Sequence, residues 1–178
     1  MNPREKISYL LWKIQMSPNR DIFRKSSSDL LQLDVQLAKE TLEGVLFNAD
    51  YPTEIRLESA EFLGRMGDVA VYNQILSFFL TEEYPYRGLM ARALALFKNH
   101  HAVPHFIEVY KLSQGDWHLR LDIIEALGQV PSPKSLSFLS QIFNEELPSL
   151  KEEAQRDKAL YEQTKKAAAS ALSTLMTP

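Results

Sequence analysis

The sequence contains no cysteine and only six glycines among its 178 residues. Without cysteine, the protein forms neither a structural disulfide nor a thiolate metal site, and a cysteine nucleophile is excluded. The scattered glycines build no Gly-x-x-x-x-Gly-Lys or Gly-x-Gly-x-x-Gly phosphate loop, and no Gly-x-Ser-x-Gly nucleophile elbow. We therefore expect a protein that is not an enzyme and that holds no cofactor.

Long apolar runs are also missing from the sequence. No run approaches the roughly 18 residues that a membrane-spanning helix needs. Residues 1–16 interleave charges with apolar residues, which is typical of an amphipathic helix and not of a signal peptide. We therefore expect a cytoplasmic protein without a membrane partner.

Charge is distributed unevenly along the sequence. The formal net charge is -3, yet residues 1–28 carry six Lys or Arg against two Asp or Glu. Nucleic-acid binding depends on clustered cations that neutralise phosphates, and the acidic remainder of the protein disfavours it. We expect no nucleic-acid partner, although the short basic segment keeps nucleic-acid binding open as a third possibility.

A nine-residue pattern recurs about every 32 residues. Each copy begins with a basic residue, places small or apolar residues three and four positions later, and ends on a leucine followed by a small residue. Three copies at this spacing begin at Arg56, Arg87 and Arg120, and a fourth, with lysine in the arginine place, begins at Lys165. A period of this length built from paired helices predicts an α-solenoid.

The repeated positions have structural roles in such a fold. The leucines should be the deepest residues, and the small residues should lie where neighbouring helices pass closely; these residues are Leu63, Leu94, Leu127 and Leu172, and Gly64, Ala95, Gly128 and Ser173. The four basic residues should form a structural ladder that bonds carbonyls or acids of the preceding repeat. A ligand-binding row of arginines is the other reading.

The stretches from Ile55-Arg56 to Asp68 and Ala102-Val103-Pro104 resemble the HEAT-like repeats of the phycobilisome-lyase type. The resemblance covers about residues 54–146. It implies an all-α, right-handed α-solenoid of about four to five HEAT-like helical hairpins. Because phycobilisome lyases attach or detach bilins, it also implies an alternative function as a bilin lyase-like or other cofactor-handling subunit.

The remaining sequence suggests how a single solenoid domain over residues 1–178 is organised. Residues 1–53 form a degenerate opening repeat with an insertion at 17–33 and a helix from Asp34 to Phe47. Residues 54–146 hold three regular repeats. Residues 147–178 form a capping helix, through which self-association remains possible.

In a solenoid of this kind, the second helices line the concave side. Residues between their core positions form three rows: Asn73, His105 and Ser137; Leu76, Glu108 and Ser140; and Phe79, Lys111 and Phe143. Half-exposed Leu76, Phe79 and Phe143 would suit a protein-binding groove. The alternative is that Phe79 and Phe143 pack beneath the following loop. The leading hypothesis is a scaffold or adaptor that binds another protein or peptide here.

Three histidines cluster at His100, His101 and His105. His101 and His105 are four residues apart, the spacing at which two imidazoles on one helix face can share a metal, with Glu108 one turn beyond. Against a metal site, His101 precedes the expected helix start and no repeat-related His-Glu pairs occur. We therefore expect an exposed turn and no metal site.

Overall fold

The computed structural model describes residues 2–16, 19–82, 85–113, 115–144 and 154–177; for 154–158 it describes the backbone. Every regular element in these residues is a helix, which confirms the predicted all-α class. The helices are α1 (Pro3–Met16), α2 (Arg20–Leu33), α3 (Val35–Phe47), α4 (Thr53–Met66), α5 (Val69–Thr81), α6 (Tyr86–Leu96), α7 (Val103–Leu112), α8 (Trp117–Gln129), α9 (Pro133–Asn144) and α10 (Ala154–Met176). A 3-10 turn, His100–Ala102, precedes α7.

The protein forms two compact units, Met1–Tyr72 and Asn73–Pro178, and the division falls within α5. In unit 1, α1 packs on α2, and α3 packs on both α2 and α4. In unit 2, α8 packs against both α6 and α10, while α9 contacts α7, α8 and α10. The organisation of residues 1–178 as a single domain stays a prediction.

The predicted repeats over 54–146 correspond to three successive helix pairs, α4 with α5, α6 with α7, and α8 with α9. A two-residue turn separates the helices of the first pair. Gly67 adopts a left-handed conformation with φ of 68°, which ends α4, and the Asp68 carboxylate then accepts a hydrogen bond from the Val71 N–H of α5. Glycine tolerates this φ without steric cost, and aspartate is a favoured N-cap.

Helix α2 occupies most of the segment 17–33, where the sequence suggested an insertion. The side-chain oxygen of Asn19 caps it by accepting hydrogen bonds from the first N–H groups of the helix. Asp34 caps the next helix in the same way, so the helix predicted from Asp34 to Phe47 is confirmed as α3. Asn19 and Asp34, both of a residue type favoured at N-caps, thus begin two closely spaced helices.

In each first helix, three residues face the core: one residue and those four and seven positions after it. These residues are Phe23, Ser27 and Leu30 in α2; Arg56, Ala60 and Leu63 in α4; Arg87, Ala91 and Leu94 in α6; and Arg120, Ile124 and Leu127 in α8. The predicted deep leucines Leu63, Leu94 and Leu127 have no exposed surface. Because α2 fits the pattern with Phe23 at the arginine position, it is a first helix that a pattern beginning with a basic residue does not predict.

Helices α8 and α10 approach closely at Gly128. An added Cβ at this glycine would lie 2.6 Å from the Cβ of Ala171. That distance is well inside van der Waals contact, so only glycine fits the present spacing. The prediction that Gly128 lies where two helices pass closely is confirmed.

Aromatic side chains hold the second helices of unit 2 together. The rings of Phe79 in α5 and Phe106 in α7 meet edge to face, with centroids 5.4 Å apart. Tyr110 in α7 and Phe138 in α9 repeat this arrangement at 5.3 Å. Such pairs add to the stabilisation from burial, and they fix which face of each second helix is turned inward.

Candidate partner-binding surface

The exposed face of α5, α7 and α9 is located by the buried residues beneath it. Ile75, Phe106 and Phe138 are buried at equivalent places, 31 and 32 residues apart. Each is followed four residues later by a second buried residue: Phe79, Tyr110 and Ile142. Counting from these positions gives three outward rows, which we call the second-helix surface: Gln74, His105 and Ser137; Ser77, Glu108 and Ser140; and Leu80, Lys111 and Phe143.

The second-helix surface contains six of the nine predicted row residues: His105, Glu108, Lys111, Ser137, Ser140 and Phe143. His105 and Ser140 are half-buried and the other four are exposed. The three predicted members on α5 are each displaced from these rows by one residue: Asn73 is exposed, Leu76 is half-buried and Phe79 is fully buried.

Phe79 is therefore removed from the partner-binding set, because its ring is enclosed against Phe106. Phe143 is 46% exposed, and the residues of the loop that follows it lie outside the described part of the protein, so the alternative for Phe143 stays open. A spacing of 32 residues aligns Ile75 with Ile107, which is half-buried, whereas the buried residue equivalent to Ile75 is Phe106. A signal for the true spacing was present, since Arg56 and Arg87 are themselves 31 residues apart.

The third row of the second-helix surface carries its apolar groups. Leu80 and Phe143 are 38% and 46% exposed, and Lys111 lies between them with Nζ 5.8 Å from the ring centroid of Phe138. Phe143 also borders a cleft of about 470 Å³ between α9 and α10, together with Leu172 and Met176. The row thus joins exposed apolar side chains to a charged group and a cleft, a composition that suits protein contact.

Two of the predicted ladder arginines bind backbone carbonyls of the preceding helix pair. Arg56 Nε donates to the Leu46 carbonyl oxygen at 2.8 Å, and Arg87 donates to that of Leu80 at 2.6 Å. These two hydrogen bonds support the structural reading of Arg56 and Arg87, which stays a prediction beside the ligand-binding row.

Arg120 and Lys165 make other contacts. The Arg120 guanidinium lies over the rings of Tyr110 and Trp117, at 4.6 and 5.3 Å from the centroids, which is a cation–π arrangement. Lys165 Nζ lies 5.4 Å from the ring of Tyr161 in its own helix. In α10 the buried residues are Thr164, Ala168 and Ala171, so Thr164 occupies the ladder position and Lys165 lies one residue beyond it. The same displacement leaves Leu172 half-buried.

The histidine cluster lies at the entrance of α7. His100 and His101 are exposed in the 3-10 turn with ring centroids 4.4 Å apart, while His105 follows on α7 and is half-buried. Over the described part of the protein, no three His, Asp or Glu side chains converge in a way that could hold a metal ion. His100 and His101 instead line a cleft of about 530 Å³ with Pro104, Pro131 and Pro133.

Charged groups are partly buried at two places outside the second-helix surface. In unit 1, Glu58 of α4 is 2% exposed and accepts hydrogen bonds from Nε of both Arg20 and Arg24 in α2. In unit 2, burial raises the pKa of Asp122, an effect that the nearby Arg92 opposes. Glu58 belongs to a structural ion-pair cluster, since both its arginines are supplied by the helix on which α4 packs.

Within unit 2, the first-helix pattern of α6 and α8 and the aromatic contacts of α5, α7 and α9 define helical repeats. Residues 75–160 match the family model described as HEAT repeats. Over these residues the protein consists of HEAT-like repeats. This assigns unit 2 in particular to the α-solenoid class of helical hairpins, as the sequence predicted. The match does not extend to the phycobilisome-lyase type, and no curated protein matches the sequence.

None of the helices in the described residues is both long enough and apolar enough to cross a bilayer.

Proposed function

We propose that this HEAT-like repeat protein is a non-enzymatic scaffold or adaptor that binds a partner protein or peptide through the second-helix surface of unit 2. The observation that carries the proposal is the third row, in which Leu80, Lys111 and Phe143 are all exposed. HEAT solenoids present stacked helices as extended binding surfaces, and the residues at equivalent repeat positions form the contact rows.

The chemistry of the third row supports a protein ligand. Two large apolar side chains contribute binding energy when a partner excludes water from them, and the lysine between them adds a charge requirement. The apolar cleft beside Phe143 offers a place where a side chain of the partner can be enclosed. Enclosed apolar contacts with a polar rim are the usual composition of binding hot spots.

The test compares affinity capture by the wild type with capture by Leu80→Glu/Phe143→Glu, followed by quantitative mass spectrometry. A matched control is Val69→Glu, which places the same charge on a residue of α5 that is 69% exposed and outside the rows. We expect a partner whose recovery falls about tenfold or more with the double variant and stays unchanged with the control. Circular dichroism establishes that all three proteins are folded.

Equal recovery of every captured protein by the wild type and the double variant would show that the second-helix surface is not the binding site. A partner lost with Val69→Glu as well would point to a general effect of added charge. Self-association through α10 stays a prediction, and a concentration series by sedimentation tests it. No feature of the described residues favours the bilin lyase-like alternative.

The proposal includes a cytoplasmic location. Imaging of a fluorescent fusion in cells tests the location, and an extracytoplasmic signal would refute it.

A further inference from the structure

The outward face of α1 carries an exposed apolar stripe, formed by Tyr9, Trp12 and Met16. These residues are 44%, 57% and 66% exposed, and spacings of three and four place them on one side of the helix. The rings of Tyr9 and Trp12 are stacked, with centroids 6.3 Å apart. Large apolar groups that lie together in water mark a contact surface more often than scattered ones do.

A basic cleft lies beside this stripe, between α1 and α2. Three lysines line it, Lys6 and Lys13 from α1 and Lys25 from α2, and we call it the lysine cleft. It has a volume of about 150 Å³ and also includes Tyr9, whose ring centroid is 4.7 Å from Lys13 Nζ. Asp29 is the acidic residue on its lining, so the cleft carries an excess of positive charge.

Three other charged residues of α1 and α2 already have partners. Arg20 and Arg24 are held by Glu58, and Glu5 accepts the Asn2 backbone N–H at the start of α1. The three lysines are therefore the cations that a ligand at this edge of unit 1 would meet.

We propose that this face of unit 1 docks on membrane surfaces that contain anionic phospholipids. A headgroup phosphate occupies the lysine cleft, while Trp12 and Met16 enter the interfacial layer beside it. Tryptophan and tyrosine favour the headgroup level of a bilayer, and lysines next to them are attracted by anionic lipids.

The size of the lysine cleft favours this occupant over a partner helix. A cleft of about 150 Å³ admits a single anionic group, whereas a helix needs a groove along its whole length. The sequence alone predicted no membrane partner, because it could not show that Tyr9, Trp12 and Met16 face solvent together. This inference is independent of the second-helix surface, which lies in unit 2.

The experiment measures co-sedimentation of the full-length protein with vesicles of phosphatidylcholine, with and without phosphatidylserine. We expect binding only to the anionic vesicles and a decline in binding as salt is added. The triple variant Lys6→Gln/Lys13→Gln/Lys25→Gln should weaken binding roughly 100-fold. The three lysines contribute about equally to this total, because each of them is attracted by the anionic surface. Trp12→Ser/Met16→Ser should also weaken it.

Matched controls use exposed residues elsewhere. Lys98→Gln/Lys134→Gln/Lys166→Gln makes the same change in charge, and Leu33→Ser/Val35→Ser removes two exposed apolar groups of unit 1. Both control variants should bind like the wild type. In protein with Trp117→Phe, Trp12 fluorescence should shift to shorter wavelength on anionic vesicles.

Several results would overturn the proposal. Equal binding to neutral and anionic vesicles would remove the role of charge, and equal loss in the cleft variant and its control would remove the role of the lysine cleft. An unshifted Trp12 spectrum would exclude insertion. Displacement from vesicles by millimolar inorganic phosphate, with no vesicle preference remaining, would assign the cleft to a free phosphate compound. Lysine-dependent retention of a short DNA duplex without vesicle binding would assign it to nucleic acid.

Discussion

Arg56 of α4 donates a hydrogen bond from Nε to the carbonyl oxygen of Leu46, at 2.8 Å, in the last turn of α3. The last carbonyls of a helix have no partner within that helix, so the arginine satisfies one of them. Arg87 makes the equivalent bond to Leu80, which is likewise the next-to-last residue of its helix. The guanidinium of the repeated arginine therefore caps the C-terminus of the preceding helix.

Replacing Arg56 should cost more stability than replacing Arg87. Arg56 is 6% exposed, and Arg56→Met leaves the Leu46 carbonyl without its donor, so we expect a loss of about 2–3 kcal/mol in the free energy of unfolding. Arg87 is half-buried, and Arg87→Met should cost about 1 kcal/mol because water can replace the lost donor. Urea unfolding of the two variants measures the difference. Equal losses would contradict the capping account.

Alanine should have opposite effects at two helical glycines. Gly128→Ala forces a Cβ to within 2.6 Å of the Ala171 Cβ, so α8 and α10 must separate at a cost of about 1–3 kcal/mol. Gly44 in α3 is exposed with no atom within 4 Å of an added Cβ, so Gly44→Ala should stabilise the protein by about 1 kcal/mol. Thermal unfolding monitored by circular dichroism measures whether each variant is less or more stable than the wild type. A stabilising Gly128→Ala would refute the close approach.

The Glu58 ion pairs should be redundant on the arginine side. Glu58→Gln leaves Arg20 and Arg24 without their shared carboxylate, and we expect a loss of about 1–3 kcal/mol, reduced by the partial exposure of both arginines. Arg20→Gln or Arg24→Gln alone should cost less, because the other arginine still neutralises Glu58. A double-mutant cycle between Arg24 and Glu58 checks the coupling. Zero coupling energy would show that the pair contributes nothing to stability.

Two aspartates should respond oppositely to pH. The Lys39 ammonium, 2.6 Å from Asp68, together with the Val71 N–H, holds the pKa of Asp68 below its ordinary value. Its contribution to stability is therefore present above the unfolded-state pKa, about 3.9, and is lost as the pH falls through the lower folded-state value. Asp68→Asn keeps an N-cap side chain but loses the ion pair with Lys39, so it should destabilise slightly at pH 7, with the difference vanishing in acid. Urea unfolding of this variant at neutral and acidic pH measures the change.

The contribution of Asp122 to stability depends on pH in the opposite direction to that of Asp68. Burial raises its pKa in the folded state, so the protonated form is favoured there and stability falls as the pH rises through the raised value. Asp122→Asn should therefore stabilise the protein at pH 7 and have no effect below the ordinary aspartate pKa. Urea titrations of wild type and variant at pH 3 and pH 7, conditions roughly one unit below and three above that pKa, compare the two. A destabilising Asp122→Asn at pH 7 would contradict the assignment.

The sequence predicted the helical class and the core residues of the first helices, because the spacing from arginine to leucine recurs along it. The sequence did not predict α2 as a first helix, because Phe23 stands where the repeated pattern has a basic residue. It also misjudged α5, where Phe78 and Phe79 are both apolar and adjacent. Only packing decides between them: Phe79 is buried on Phe106, while Phe78 is half-buried against Tyr86. Shifting the buried position of a helix by one residue changes which of its side chains are exposed to a partner.

Phe23 has a consequence for the order in which unit 1 opens. A phenyl ring donates no hydrogen bond, so α2 cannot bind a carbonyl of α1 through this position as Arg56 binds that of Leu46. Helix α1 buries only Leu10 and Ile14, and it should therefore separate from α2 in local fluctuations that leave α3 and α4 intact. Its backbone amides should exchange with deuterium earlier than those of α4. The helix that bears the apolar stripe is thus the part of unit 1 that can reorient at the smallest cost in free energy.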